Sequence, residues 1–290
     1  MENILLAGDW HGCTSHATWA LERAKALGIR RVFQCGDFGL WEHEPAGVAY
    51  LNDLDEVAHR LDLVLYCLAG NHDNEKLAVR LHAADLDREG FVNLRPRVKL
   101  ALRGHRWTWN DTRFLALGGA YSVDKSYRLR VEEEKTRRSR SESIQYGKPF
   151  RDFAGTMWFP DEELTHQNVI TAIGDGSPVD VMLTHDKPLR STPDWNRKDL
   201  PECVPNQQKI QDVADALRPR LLVHGHLHYL YDCVMAGKDG SFQTRVVGLD
   251  ADAEAQAWER TYKRENNLAI LTLDRGLKTI IIAGDRVIGP

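Results

Sequence analysis

Five short segments of the sequence place aspartate, asparagine or histidine at the end of an apolar run. They are Gly8-Asp9-Trp10-His11, Gly36-Asp37, Gly70-Asn71-His72-Asp73, Thr184-His185 and Gly225-His226-Leu227-His228. Carboxylate and amide oxygens, together with imidazole nitrogens, are ligands of Mn, Fe, Zn and Ni. None of the segments contains cysteine, which argues against a structural zinc site of the finger type. The five segments therefore predict a transition-metal centre.

The number of these side chains indicates how many metal ions they would hold. Two aspartates, one asparagine and four or five histidines exceed what a single ion needs. They suit two ions about 3.5–4 Å apart that share a bridging ligand. Glycines at positions 8, 36, 70 and 225 would let the chain turn where a ligand must point inward. His224 is expected to support the site or to face the other side of its strand.

A regular alternation of strands and helices must bring these segments together. The predicted strands are 3–7, 31–35, 61–68, 179–184 and 221–224, and the predicted helices are 15–27, 46–60, 74–84, 161–172 and 208–217. Such alternation indicates a parallel sheet, in which the C-terminal strand ends form a binding crevice. The five segments are therefore expected to converge, although they span most of the chain.

The remaining sequence predicts antiparallel strands and a polar insert. An antiparallel meander is expected over 98–102, 105–109 and 114–117, and a closing antiparallel set over 229–235, 244–249, 268–273 and 278–282. The polar insert spans about 121–160, and its charge-dense run 128–140 favours a solvated helix, a mobile excursion or a lid. We expect one domain over 1–290. Its fold class is α/β, a two-sheet α/β sandwich flanked by helices.

Composition and charge exclude several classes of protein. The 290 residues are 42% hydrophobic and 28% charged, as in ordinary globular proteins. An apolar run of about 18 residues is absent, which excludes a spanning helix, and the first residues do not have the pattern of a secretory signal. A formal net charge of −4 argues against general coating of nucleic acid. Five cysteines without a CxxC pair indicate reduced thiols, so we expect a cytoplasmic protein.

The motifs GDWH, GD, GNHD, a lone histidine after a strand and GHLH, in this order, resemble those of the calcineurin-like metallophosphoesterase superfamily. The resemblance spans Gly8 to His228. It implies a metallophosphoesterase-like fold and two divalent transition-metal ions, manganese first, with Fe, Zn or Ni as alternatives. It also implies the ligands, which are Asp9, His11 and His228 for the first ion, Asn71, His185 and His226 for the second, and Asp37 as the bridge.

The same resemblance implies a hydrolytic mechanism. A hydroxide bridging the two ions, its pKa lowered by their charge, would attack phosphorus in line with the leaving oxygen. His72 would lie beside the leaving group as general acid, because an imidazole titrates near neutrality. Asp73 follows His72 and would orient its imidazole. We therefore expect a metal-dependent phosphoric ester hydrolase.

The motifs favour a phosphodiesterase among the phosphoesterases. Serine/threonine protein phosphatases carry GDxVDRG and GNHE, whereas this chain has Gly36-Asp37-Phe38-Gly39 and GNHD, so that branch is disfavoured. The chain is more similar to bacterial and phage phosphodiesterases that act on small or cyclic-nucleotide-type diesters. Lys125 and Arg128 would contact phosphate oxygens or form a solvated basic turn. Trp10 and Phe38, beside the predicted ligands, would stack on a base or wall the site. Trp41, Trp158 and Trp195 lie on predicted loops and would edge a pocket.

Three alternative functions stay open. A phosphomonoesterase on nucleotides or on RNA or DNA ends would need extra cations for a dianion, and a nuclease would need a basic groove. A non-enzymatic protein-binding scaffold of the same fold would have degraded ligands, and here none is degraded. The expected partner is a small phosphoester, a nucleotide among the candidates. We expect neither a membrane nor a general nucleic-acid partner, and the oligomeric state is left open.

Overall fold

A computed structural model of the protein describes residues 1–193, 199–252, 263–282 and 286–288. Trp195, one of the loop tryptophans named above, lies outside these ranges. The helices in the described part are α1 (Thr14–Ala26), α2 (Pro45–Leu61), α3 (Glu75–His82), α4 (Lys125–Tyr146), α5 (His166–Ile173) and α6 (Val204–Leu217), with a short 3₁₀ helix at Arg264–Asn267. None of these helices has the length and apolar character that crossing a membrane requires.

Fourteen strands form two sheets in the described residues. In chain order they are β1 (Glu2–Ala7), β2 (Arg31–Gln34), β3 (Val64–Cys67), β4 (Val92–Arg95), β5 (Val98–Leu100), β6 (Arg106–Trp109), β7 (Thr112–Leu117), β8 (Val181–Thr184), β9 (Leu221–His224), β10 (Tyr231–Ala236), β11 (Gln243–Gly248), β12 (Leu268–Leu273), β13 (Leu277–Ile282) and β14 (Arg286–Ile288). The eight-stranded sheet has the order β14-β13-β12-β1-β2-β3-β5-β4, and the six-stranded sheet has the order β10-β11-β9-β8-β7-β6.

The centre of each sheet is parallel. Strands β1, β2, β3 and β5 pair in parallel in the first sheet. Strands β7, β8, β9 and β11 pair in parallel in the second. Parallel strands end at a common edge, so each sheet presents a row of loops at one edge. Four of the five predicted ligand segments follow β1, β2, β3 and β9, and His185 follows β8.

Three apolar clusters hold the layers together. The cluster between the sheets joins side chains of the first sheet, such as Phe33 and Leu6, to side chains of the second, such as Phe114 and Leu183. Helices α1, α2 and α3 pack on the outer face of the eight-stranded sheet, and α5 and α6 pack on the six-stranded sheet. This arrangement confirms the predicted α/β sandwich of two sheets flanked by helices.

Two predicted groups of strands were wrong as groups. The meander is divided between the sheets, because β5 pairs in parallel with β3 while β6 and β7 form a hairpin in the other sheet. The closing antiparallel set is also divided: β12 pairs with β1, whereas β11 pairs in parallel with β9. Alternating apolar residues indicate strands, but they do not identify the partner of each strand. Strand β4 was missed.

The predicted helix over 161–172 begins later than expected. Thr165 caps α5, because its side chain accepts a hydrogen bond from the Asn168 backbone amide, and Asn168 Oδ1 accepts one from the Thr165 backbone amide. This capping box fixes the start of the helix at His166. Residues 161–164 therefore stay outside the helix, although their polarity suits one.

The polar insert consists of a long helix and a returning segment. Helix α4 has one buried residue, Glu132, among its 22 residues, so the solvated-helix interpretation of 128–140 is confirmed for most of its length. Residues 150–159, which we call the strap, run back along α4 toward the ligand segments. The strap is tied to the loop before α2, since His43 Nε2 lies 3.1 Å from the Thr156 carbonyl oxygen and Arg151 pairs with Glu44 at 3.7 Å.

Candidate metal centre

Asp37 lies at the middle of the converging side chains. Its Oδ2 is 3.3 Å from His11 Nε2, and its Oδ1 is 3.3 Å from His185 Nε2. Its backbone carbonyl also accepts hydrogen bonds from the Trp10 and His11 amides. The Asp37 side chain is 2% exposed. One carboxylate therefore faces a histidine of each predicted ligand group, as a bridging ligand must.

The first predicted ligand group is assembled. Ligand atoms of Asp9, His11, Asp37 and His228 all lie within 4.8 Å of one another. His228 Nε2 is 3.0 Å from Asp9 Oδ2. This spacing suits donors arranged around a single ion of the transition-metal type.

The second predicted group lies on the other side of Asp37. His185 Nε2 is 2.9 Å from Asn71 Oδ1, and the His185 and His226 rings are 5.1 Å apart. His185 Nδ1 donates to the Cys35 carbonyl oxygen at 2.9 Å. That bond leaves Nε2, once deprotonated, free to ligate. The donors of both groups thus fit a pair of metal ions.

Four of the seven predicted ligands have left-handed backbone conformations. The φ angles are +43° at His11, +52° at Asp37, +63° at His226 and +55° at His228. Residues other than glycine adopt such angles infrequently, and each costs about 1–3 kcal/mol unless the surroundings impose it. Four such residues in one site indicate that the backbone is held in unfavourable conformations so that the side chains point toward Asp37 and its neighbours.

The glycines before the ligands serve mainly to allow close approach. A Cβ atom on Gly225 would lie 1.9 Å from Asp9 Oδ1, and one on Gly70 would lie 2.1 Å from Asp37 Oδ1. Of the four glycines predicted to allow a sharp turn, Gly36 alone has a left-handed φ, +96°, and a Cβ there would meet the His185 ring at 2.3 Å. The turn prediction holds for Gly36, whereas Gly8, Gly70 and Gly225 make room for neighbouring atoms.

The two buried aspartates stay ionised. Burial raises the pKa of Asp37, but the nearby His72, His185 and His11 outweigh it and hold that pKa well below 3.8. Burial also raises the pKa of Asp9, and His185 and His228 bring it below its ordinary value. Two anionic carboxylates enclosed among imidazoles create a strong preference for bound cations.

The histidines predicted as ligands differ in protonation. Burial lowers the pKa of His185, but Asp37 and Asp9 raise it to about 9. Burial lowers the pKa of His11 as well, and hydrogen bonds to Asp252 and Asp37 raise it well above 6.5. In contrast, burial and the charge of His185 lower the pKa of His226 to about 3. In the metal-free protein His11 and His185 therefore hold protons at neutral pH, while His226 is already neutral.

Metal binding should release about two protons near neutral pH, because His11 and His185 must deprotonate before they can ligate. Metal affinity should then rise with pH through the His185 pKa of about 9, as His185 and His11 lose their protons. Isothermal calorimetry of Mn binding in buffers of different ionisation enthalpy counts the protons. Binding with no proton release, and with affinity independent of pH, would contradict this assignment.

His72 lies beside the predicted bridging residue Asp37. Its side chain is 15% exposed, and its Nε2 is 3.9 Å from Asp37 Oδ2. The expectation that His72 titrates near neutrality is wrong for this structure. Burial, with the positive charges of Arg128 and His11, lowers the pKa of His72 to about 4 against the opposing effect of Asp37. The imidazole is therefore neutral before substrate binds.

The predicted role of Asp73 in orienting His72 was wrong. Both carboxylate oxygens are occupied by four backbone amides, those of Phe38, Gly39, Leu40 and Gly70, at 2.8–2.9 Å. Three of these amides belong to the turn that follows Asp37. Asp73 therefore fixes the backbone that follows Asp37, the predicted bridging residue, and the orientation of the His72 ring comes from other contacts.

Arg128 contacts the site, and Lys125 does not reach it among the described contacts. Arg128 Nη2 donates toward His72 Nε2 at 3.3 Å. The Lys125 ammonium instead lies 4.3 Å from the Trp158 ring centre and 5.9 Å from that of Tyr121. Arg128 thus has the position expected of a phosphate contact, and Lys125 packs against the strap.

The aromatic neighbours of the ligands wall the site. Trp10 and Phe38 are fully buried in the cluster beneath α1 and α2, with ring centres 5.8 Å apart. They cannot stack on a base, so that alternative is wrong. Trp41 donates from Nε1 to the His72 carbonyl oxygen at 2.6 Å and holds the backbone of His72. His224 supports the site from behind, where it contacts the Tyr231 hydroxyl and the Gly225 carbonyl.

Sequence reasoning missed two carboxylates that hold predicted ligands. His11 Nδ1 donates to Asp252 Oδ2 at 2.7 Å. On the other side, Asn71 Nδ2 donates to Ser122 Oγ at 2.9 Å, and Ser122 Oγ donates to Glu162 Oε2 at 2.5 Å. Such contacts fix the tautomer of a histidine ligand and the direction of an amide ligand. Asp252 was detectable in principle, because it follows β11, a parallel strand, just as the other segments follow theirs.

Asp252→Asn should weaken metal binding at the first predicted ligand group by about 10- to 100-fold, because a neutral amide partner makes the His11 imidazole a less basic ligand than a carboxylate does. Metal titration of the stripped protein measures this affinity. Asp239→Asn, at an exposed turn, is the matched control and should bind metal as the unsubstituted protein does. Equal affinity in the Asp252 and Asp239 variants would show that the His11–Asp252 contact does not tune the metal.

The protein is a two-sheet α/β sandwich with a candidate dinuclear centre at the ends of its parallel strands. This combination indicates a metal-dependent phosphoester hydrolase. The family model described as calcineurin-like phosphoesterase matches residues 2–230, and the chain belongs to this family. Its members are dependent on two divalent metal ions. The predicted superfamily is therefore confirmed.

One solved structure supports the fold, and a second has a weaker similarity to the chain. A crystal structure of a dimetal phosphatase from Danio rerio is 12% identical, with a TM-score of 0.50, and the match covers 98% of this chain and 99% of that one. The structure of TT1561 from Thermus thermophilus is 13% identical, with a TM-score of 0.47 and coverage of 86% and 89%. A comparison with curated protein sequences gave no match. At these identities the first similarity supports the fold alone.

Proposed function

We propose that this protein hydrolyses small phosphodiesters of the cyclic-nucleotide type with two divalent metal ions. The observation that carries the proposal is a cation beside the centre. The Arg128 guanidinium lies 3.3 Å from His72 Nε2, next to the predicted ligands. A guanidinium at this position can bind the singly charged phosphate of a diester.

The predicted ligands form two groups, one for each metal ion. Asp9, His11 and His228 would hold one ion, Asn71, His185 and His226 would hold the other, and Asp37 would bridge them. When bound, the ions supply Lewis-acid stabilisation of the phosphoryl oxygens and activate a water for attack. We propose manganese, with Fe, Zn or Ni as alternatives, because the Asp, Asn and His donors suit all four.

Two residues act on the substrate directly in this proposal. Arg128 binds a non-bridging phosphoryl oxygen through its guanidinium, and His72 donates a proton to the leaving oxygen. His72 needs that proton, although its pKa is lowered to about 4 by burial and by Arg128. The negative charge of a bound diester offsets Arg128 and raises the pKa of His72 again. Substrate binding thus favours the protonated form of His72, which can act as the general acid.

A phosphomonoesterase acting on nucleotides or on RNA or DNA ends is the alternative. The Danio rerio protein of the same fold is described as a phosphatase. Lys125, three residues before Arg128 on α4, would have to leave Trp158 to supply the second cation for a dianion. A protein-binding scaffold is disfavoured, since the seven predicted ligands are present and assembled around Asp37.

A panel of cyclic nucleotides and mononucleotides tests the proposal. With Mn-loaded protein we expect kcat/KM for at least one cyclic diester to exceed that for every monoester by about tenfold or more. A preference for monoesters would contradict the phosphodiesterase proposal and favour the phosphomonoesterase alternative.

We also propose a cytoplasmic location and a single domain over the chain. The five cysteines are free, which suits a reducing compartment.

A further inference from the structure

Glu132 makes an unusual set of contacts for a residue on an exposed helix. It is 4% exposed, and its carboxylate accepts hydrogen bonds from four consecutive backbone amides of the strap. Oε2 accepts from Gly155 at 3.2 Å, and Oε1 accepts from Thr156, Met157 and Trp158 at 3.0, 2.7 and 2.9 Å. Charge-assisted bonds to backbone amides are among the stronger hydrogen bonds in proteins. One side chain therefore holds the whole turn of the strap.

The Gly155–Trp158 turn, which Glu132 fixes, also contacts Arg128. The Met157 carbonyl oxygen accepts a bond from Arg128 Nη1 at 3.1 Å. Arg128 Nε donates to Asp124 Oδ2 at 2.7 Å, and Nη2 donates toward His72 Nε2. All three guanidinium nitrogens thus have a partner. Since the Met157 amide is bonded to Glu132, the carbonyl that holds Arg128 belongs to the segment that Glu132 fixes.

The strap connects this arrangement to the other side of His72. Its Thr156 carbonyl oxygen lies 3.1 Å from His43 Nε2, in the loop that also carries Trp41. Trp41 holds the His72 backbone carbonyl. The insert is therefore joined to the reaction centre from two directions, although most of α4 is solvated.

We propose that Glu132 is a positioning residue for phosphate binding: by fixing the Gly155–Trp158 turn, it holds the Met157 carbonyl that places Arg128 beside His72. The inference rests on the proposed role of Arg128 as the phosphate contact. Glu132 itself touches no reacting atom. Its effect on the reaction passes through Arg128.

A double-mutant cycle tests this connection. Arg128→Ala should lower kcat/KM for bis-p-nitrophenyl phosphate by about 10- to 100-fold, the effect of removing a hydrogen bond to a charged group. Glu132→Ala should cause most of the same loss, and the double variant should be no worse than Arg128→Ala. Glu132→Gln keeps a carbonyl oxygen able to accept three of the four bonds and should recover part of the loss. Glu134→Ala, an exposed neighbour on α4, is the control and should match the unsubstituted protein.

Two further readouts do not depend on hydrolysis. Hydrogen–deuterium exchange at the amides of 155–158 should accelerate in Glu132→Ala and stay slow in Glu134→Ala. Binding of inorganic phosphate to the metal-loaded protein should weaken in both Arg128→Ala and Glu132→Ala. If the unsubstituted protein hydrolyses no phosphoester, the proposed function fails, and phosphate binding still tests the positioning role. Additive losses in the cycle, or phosphate affinity unchanged in Glu132→Ala, would overturn that role.

Discussion

Asp37→Ala should lose the paired metal centre, with a fall from two bound ions to one or none and a loss of hydrolysis of at least about a thousandfold. The reason is geometric, because the Asp37 carboxylate faces His11 of one ligand group and His185 of the other at 3.3 Å. Without it, the second group has no carboxylate, the two groups share no donor, and His11 and His185 lose the anion that lies between them. Metal content after gel filtration, measured by mass spectrometry, gives the stoichiometry directly.

The backbone at Asp37 requires a matched control. Its φ of +52° means that alanine would be strained there whatever the effect on metal. Asp111 has a φ of +60° in the β6–β7 turn, far along the chain from the ligands, so Asp111→Ala carries the same kind of strain without the ligand. Asp37→Asn adds an isosteric test of the charge. Two ions at full occupancy in Asp37→Ala would contradict the bridging role.

His72→Ala should keep both metal ions and slow the hydrolysis of a diester with a poor leaving group by about 10²–10⁴-fold, the usual contribution of a general acid. A p-nitrophenyl ester should be affected far less, because p-nitrophenolate leaves without needing a proton. The ratio of the two effects isolates proton donation from any change in binding. Steady-state kinetics on an alkyl and a p-nitrophenyl diester provide that ratio.

Metal content decides between the two roles that His72 could have. His59→Ala, on the exposed side of α2, is the control and should leave both rates and metal unchanged. If His72→Ala lost an ion, His72 would be a ligand. Equal losses on the alkyl and p-nitrophenyl substrates would leave His72 with a binding role and would exclude proton donation by this residue.

The predicted ligand segments could be identified because each is a local signal. A short apolar strand followed by a polar side chain, with an intervening glycine in every segment except Thr184-His185, can be recognised without knowing which strands pair, and parallel strands bring such ends together. The residues that contact and orient the predicted ligands were harder to identify from the sequence. Asp252 follows β11, which the sequence assigned to an antiparallel set, and its parallel pairing with β9 depends on contacts distant in the chain.

Other parts of the site depend on details that no sequence pattern encodes. Asp73 follows His72, but its carboxylate turns away toward backbone amides of the Asp37 turn. Gly70 and Gly225 are required by the nearness of carboxylate oxygens, which becomes visible only when the segments are packed together. Lys125 and Arg128 looked equivalent in sequence, and the direction of α4 places only one of them against His72.

The central claim is a dinuclear centre that hydrolyses phosphoesters, and one assay tests it most directly. The protein is stripped of metal, reloaded with Mn, Ni or Zn, and assayed side by side on bis-p-nitrophenyl phosphate and p-nitrophenyl phosphate. We predict that activity is lost on stripping, returns as the second equivalent of metal binds, and is higher on the diester. Two bound equivalents with hydrolysis of neither ester, or full activity without metal, would contradict the claim.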